Sequence, residues 1–235
     1  MNRPYDFKPK GSRNKMLWLI LLLLATISSL IVFLTFYGLN TGNFVIGVDQ
    51  EAYNKNISIS KSPGSQDNQK TLFVETHPIY PFDFVVLNSS LDKFTGIDGV
   101  AHEFKRNTVA ITFYIINELD NLAYDLNYYI NLKEIRPKSL SLRHLKILVV
   151  VDDEKHLYHN PAYNLVDYPE DYDVRPFLEG NRIVEGKLKT LKAGGEKKIT
   201  LIIWYEGRQI LEEDSLEAVK MHLVIEIDEI GDAND

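Results

Sequence analysis

The chain has 235 residues, 45% hydrophobic and 25% charged, which is enough to bury a core in one or two domains. It contains no cysteine, which excludes a disulfide framework and lipoprotein-type attachment, so an exported domain would rest on its core alone. The net charge is −7, but the first 15 residues hold five basic and one acidic side chain; the remainder carries 21 basic against 32 acidic residues, a net of −11. Such a surface repels phosphate backbones and polyanionic polymers, which excludes nucleic acid as an expected partner.

Residues 16–37 contain no charged side chain across 22 positions. A hydrocarbon core about 30 Å thick needs roughly 20 helical residues, so the stretch predicts a transmembrane helix in contact with the lipid bilayer. Its few polar groups, Thr26, Ser28, Ser29 and Thr35, are hydroxyls able to bond back to helix carbonyls. Trp18 and Tyr37 stand about 28 Å apart at helical rise, where amphipathic rings favour the two headgroup zones. Arg3, Lys8, Lys10, Arg13 and Lys15 precede the helix, and the next basic residue is Lys55. This asymmetry places residues 1–15 in the cytoplasm and the large domain outside the plasma membrane. The segment is longer than a signal-peptide core and exits through FLTFYGLN without a small-x-small cleavage pattern, so it reads as a retained signal anchor.

From residue 40 the period is two, and Tyr 13 and Phe 11 add to the tilt toward sheet. Short strands are predicted at 44–48, 56–60, 72–75 and 82–87. Stronger ones follow at 109–116 and 122–132, where Leu122, Tyr124, Leu126, Tyr128, Ile130 and Leu132 share one face. Residues 145–151, 184–188, 199–205 and 219–228 complete the set. Three of these, 109–116, 145–151 and 199–205, are apolar on both faces and are therefore placed centrally. Residues 117–121 and the KAGGE stretch 192–196 have the length and the glycines of hairpin connections. Helical candidates are short, at 138–144 and 208–217. The pattern predicts an all-β antiparallel sandwich, immunoglobulin-like or jelly-roll, over 40–230, with 231–235 as an unstructured tail. Stretches 61–70, 88–107 and 152–182 read as long loops.

No strong chemical motif appears. His102-Glu103 opens an H-E-x-x-H zinc pattern, but Arg106 occupies the place of the second ligand. Trp204 reads as a core or strand-end residue before a turn at Gly207, rather than a binding platform. Nothing matches G-x-S-x-G, G-x-G-x-x-G or a phosphate-binding loop, so the chain is expected not to be an enzyme. Acidic residues crowd the stretch 152–173, and Asp152, Asp153, Asp171 and Asp173 are taken as candidate calcium ligands, since calcium needs six to eight oxygens. The spacing fits no EF-hand, and a solvated acidic surface is the alternative.

Four phrases carry a resemblance: NFVIGVDQEAY (43–53), ITFYIIN (111–117), YDLNYYINL (124–132) and TLKAGGEKKITLIIWYEG (190–207). Together they resemble exported Firmicutes-type, membrane-anchored proteins with an immunoglobulin-like or jelly-roll ectodomain, and more distantly the camelysin and TasA-like biofilm-fibre proteins of bacilli. The resemblance implies a cell-surface structural role, with a protein partner or self-association. Two departures stand out: the fibre-forming relatives are released by a signal peptidase whereas this anchor reads as uncleaved, and camelysin's proteolysis has no zinc motif here. An accessory or ligand-binding subunit of an envelope complex, with 152–182 as its contact surface, is the second expectation.

Overall fold

A computed structural model describes residues 11–40, 42–64, 68–76, 78–94, 104, 106–136, 142–163, 167–207 and 218–231. It divides into two units, residues 1–40 and 41–235. The described residues of the first form a single helix, α1 (Gly11–Asn40). Its described side chains, Met16 and 18–32, are exposed around the whole circumference, with Trp18 at 73%. Among the described residues no helix is long and apolar enough to cross a membrane. The Thr26 hydroxyl donates to the Leu23 carbonyl at 2.8 Å, the back-bonding expected of it.

The second unit is a two-sheet sandwich. In chain order it contains β1 (Gly42–Val48), α2 (Gln50–Asn54), β2 (Ile57–Ser60), β3 (Thr71–Thr76), α3 (Phe84–Ser89), α4 (Leu91–Phe94), β4 (Thr108–Asn117) and β5 (Ala123–Arg136). There follow β6 (Leu145–Val151), β7 (Glu154–His159), β8 (Tyr172–Pro176), β9 (Arg182–Leu191), β10 (Glu196–Tyr205) and β11 (Ala218–Gly231). Sheet 1 runs β3-β1-β11-β5-β9, and sheet 2 runs β2-β4-β10-β6-β7-β8. The chain changes sheet at every strand-to-strand connection except β6 to β7 and β7 to β8.

The all-β sandwich is therefore present, but it is not wholly antiparallel. β1 pairs in parallel with β11, and β7 in parallel with β8. In the first pair Phe44 lies opposite Met221, Ile46 opposite Leu223 and Val48 opposite Ile225, which sets one apolar row beside another. Burying those rows together fixes which face of β1 turns to the core.

Several sequence expectations change. Residues 82–87 form no strand: the Asp83 carboxylate accepts from the Val85 amide at 2.7 Å and caps α3. Phe84 and Leu87 are buried three apart while Val85 and Val86 are exposed, a helical rather than alternating period. Residues 152–182 hold two strands, β7 and β8, which extend sheet 2. Their short KHLYH and YDVRP runs were hidden among charged residues. Residues 117–121 and 192–196 are not hairpins: each carries the chain from one sheet to the other. The two crossings lie side by side, with the Asn117 side chain donating to the carbonyls of Leu122 (2.6 Å) and Lys192 (3.1 Å). Gly194 takes positive φ (62°) in the second crossing, as its glycines suggested. The helical candidate 208–217 and the His102-Glu103 pair lie outside the described residues, as do 137–141 of the other helical candidate; residues 142–144 are turn and bend.

The inter-sheet core is built of apolar side chains and tyrosines, and two of the tyrosines join the sheets through their hydroxyls. The Tyr128 and Tyr158 hydroxyls meet at 2.8 Å across the two sheets, and Tyr158 donates to the Glu185 carbonyl at 3.1 Å. Burial pushes both phenols up, so they stay protonated. The Tyr128 ring lies against Gly186, where an added Cβ would sit 2.4 Å from its hydroxyl oxygen. Gly186→Ala is expected to cost about 1–3 kcal/mol in denaturant unfolding, because the ring is walled in. An unchanged midpoint would mean that the ring has room to move.

Candidate functional site

The strands of sheet 2 alternate strictly between two cores. On β6, Leu145, Ile147, Val149 and Val151 face sheet 1, whereas Leu148 and Val150 face outward. Lys146 has the same parity as Leu148 and therefore lies on the outward face. Pairing places Thr108 of β4, Trp204 of β10, Lys146 of β6 and His159 of β7 in one row across four strands. That face is not open to solvent. Phe84 and Leu87 of α3 and Phe94 of α4 pack on it and form a second apolar cluster with its own Trp204 and Tyr172.

This cover buries charge. Lys146 is 0% exposed, Glu206 4% and His159 5%. Glu206, two residues beyond Trp204 on the same face, accepts from the Trp204 indole at 3.1 Å and from the Phe84 amide at 3.4 Å. Burial raises its carboxyl, and those two donors with the Lys146 charge oppose the rise. Burial lowers the Lys146 ammonium to about 8, with Glu206 drawing it back up. His159 is also lowered, first by burial and then by Lys146. Tyr168 lies over this group: its ring centroid is 5.8 Å from the Lys146 ammonium nitrogen and 5.9 Å from the His159 ring. Phe84 packs edge-on to Tyr168 at 4.8 Å and stacks on Trp204 at 6.3 Å.

Three polar atoms in this nest, Lys146 Nζ, His159 Nδ1 and the Tyr168 hydroxyl, are buried without a hydrogen-bond partner. Buried polar atoms are ordinarily paired, so three in one place mark this as the candidate site. Sequence reasoning missed it. The signal was available at Lys146, a lone cation in a strand otherwise apolar on both faces. Trp204 is in the core and fully buried, not a platform.

The four candidate calcium ligands occupy another part of sheet 2, near the β6–β7 turn and β8. Asp152 and Asp153 form that turn with φ of 45° and 75°, the double positive φ that Asp tolerates in a two-residue hairpin. Asp152 accepts from Lys197 at 3.0 Å. Asp171 pairs with Lys155 at 2.5 Å, and Asp173 with Arg175 at 2.5 Å and His156 at 3.0 Å. Lys155 holds the Asp171 carboxyl, and Arg175 the Asp173 carboxyl, below the usual range. Among the described residues no group of three or more His, Asp or Glu is placed to hold a metal ion.

A comparison of the chain with protein-family models, curated proteins and solved structures finds no match in any of the three.

The Lys146 environment makes a prediction for pH. With a folded value of about 8 against an ordinary 10.5, the unfolded chain holds more protons at this site between those pH values. Stability should therefore rise with pH across that window, by about 2 kcal/mol after allowance for solvent screening. Comparing wild type with Lys146→Met cancels the tyrosines that titrate nearby. The wild-type-minus-variant difference should climb from pH 8 to 10.5, and a flat difference would contradict the burial argument.

Proposed function

We propose that this chain is a membrane-tethered surface protein whose β-sandwich binds another protein or its own copies and carries out no catalysis. The observation that carries the reading is the juxtaposition along the chain of the uncharged stretch 16–37, lying within one continuous helix, and a complete sandwich beginning at Gly42. The basic residues before the helix give the orientation, with residues 1–15 cytoplasmic and the sandwich outside. Of the two sandwich types, the jelly-roll has the better support, because the chain alternates between sheets at nearly every connection. The resemblance in strand motifs to exported, anchored proteins agrees with this role.

The binding surface that fits best is the edge of sheet 1. β3 is the end strand, paired only with β1 among the described residues, and its sequence TLFVET presents Phe73 71% exposed. An unprotected apolar edge strand is a template for adding a further strand. β1 itself is paired on both sides and offers no free edge.

Two measurements test the reading. The full chain should stay with the membrane fraction after alkaline carbonate and leave it only with detergent, while protease added to intact cells should remove the sandwich. Phe73→Lys should weaken self-association or partner recovery at least tenfold in cross-linking, with the melting temperature nearly unchanged. Carbonate release of the chain would end the tether; unaltered association in the variant would end the role of β3.

A further inference from the structure

We infer that a cleft beside β9, an end strand of sheet 1, is a binding site for a sugar acid, one carboxylate among several hydroxyls. The cleft opens to solvent and has a volume of about 490 Å³, within the usual range of small-ligand sites. The sheet is irregular at this place. On β11, Ile227 lies opposite Leu126 of β5 and Glu229 opposite Asp125, so Asp228 is an extra residue. On the other side of β5, Tyr124 lies opposite Leu191 and Leu126 opposite Leu188, leaving Lys189 and Thr190 against the single Asp125. Both ladders of β5 thus lose register at one step, and Asp125, Asp228, Lys189 and Thr190 all line the cleft. Bulges re-aim side chains, and here two of them act on one spot.

The lining sets four lysines, Lys187, Lys189, Lys192 and Lys197, against the two aspartates. That is a local reversal of sign, since beyond residue 15 the chain has 21 basic against 32 acidic residues. Three of the lysines are paired: Lys187 with Asp228 at 2.8 Å, Lys197 with Asp152 at 3.0 Å, and Lys189 with Glu154. The Thr190 hydroxyl donates to Asp125 at 2.6 Å. These pairs do not exhaust their members. An ammonium has three hydrogens and a carboxylate about four lone-pair positions, so donors and acceptors remain free side by side. A ligand hydroxyl, which donates and accepts at one oxygen, uses both kinds; a simple anion would be repelled by Asp125 and Asp228. Lys192 differs from the other three. Among the described residues no acid or acceptor is paired with its ammonium, which makes it the place for the carboxylate. Leu126 and Leu188, both buried, give the cleft an apolar base suited to the C–H face of a sugar ring. Exposed pairs such as Lys187 with Asp228 contribute little, so they rearrange around a guest at small cost.

The test is calorimetric titration of the full chain in detergent with sodium glucuronate, sodium galacturonate, glucose and sodium acetate at constant ionic strength. At least one of the two sugar acids should bind. Glucose, which lacks the carboxylate, and acetate, which lacks the hydroxyls, should each bind about tenfold more weakly or worse. Lys192→Met should weaken the sugar acid by about tenfold or more, with the melting temperature unchanged because Lys192 is exposed. Phe73→Lys lies on β3 at the opposite end of sheet 1 and should bind as wild type does, which separates this site from the association edge. Binding of neither sugar acid, equal binding of glucose or acetate, or an unaltered affinity in Lys192→Met would overturn the inference.

Discussion

Strands β4, β10 and β6 carry apolar side chains on both faces, and water must be kept from both sides of the sheet they build. Sheet 1 covers one side and supplies the main core. The other side falls to α3 and α4, which bring Phe84, Leu87 and Phe94 down onto Leu148, Ile202 and Trp204. Helices this short have little stability alone and depend on that packing. Their attachment is specific as well as apolar. The Phe82 amide bonds the Tyr205 carbonyl at 2.8 Å and the Gly207 amide bonds the Phe82 carbonyl at 3.1 Å. Gly207 is where the chains close, since a Cβ there would lie 2.3 Å from Pro81.

The same requirement explains the buried charges. Lys146 follows Leu145 at the start of β6, where a one-sided sheet would leave it in water. Covering the second face encloses it with His159 and Glu206, at a desolvation cost that shows in their displaced protonation. A structure that only needed cover would fare as well with leucine at this position. The polar row is a feature added to the cover, not one that cover requires.

What was legible in the sequence is the part decided by local pattern. The alternation of 122–132 and the two-sided apolarity of 109–116, 145–151 and 199–205 locate the strands and the centre of sheet 2, since side-chain parity survives any topology. What was not legible depends on pairing between distant segments. β7 and β8 are short and charged, and they become strands by docking on β6. The parallel match of β1 to β11 joins residues about 180 positions apart, which no window of sequence reveals. α3 is ambiguous in sequence because FDFVVL satisfies period two as well as a helix, and the Asp83 cap decides between them. Lys146 was visible as a residue but not as a site, because the cover that buries it comes from 84–94 and 168–172.

The acidic surface is organised by the same pairing. At and around the β6–β7 turn, oppositely charged groups from the turn, β7, β9, β10 and the residue before β8 interleave, with Lys155, Lys189 and Lys197 meeting Asp171, Glu154 and Asp152. The exposed pairs among them contribute little each, and all of them prevent like charges from meeting across strands.

The position of β1 bears on how copies of the molecule would meet. It lies between β3 and β11, hydrogen-bonded on both sides, with Phe44, Ile46 and Val48 no more than 3% exposed. Exchanging this strand between copies would break two ladders and expose three large side chains until the exchange closed. Adding a strand outside β3 breaks nothing and covers Phe73. Because the barrier to association rises with what must first be undone, the open edge is the faster route, and β1 serves chiefly to close the sheet on its last strand.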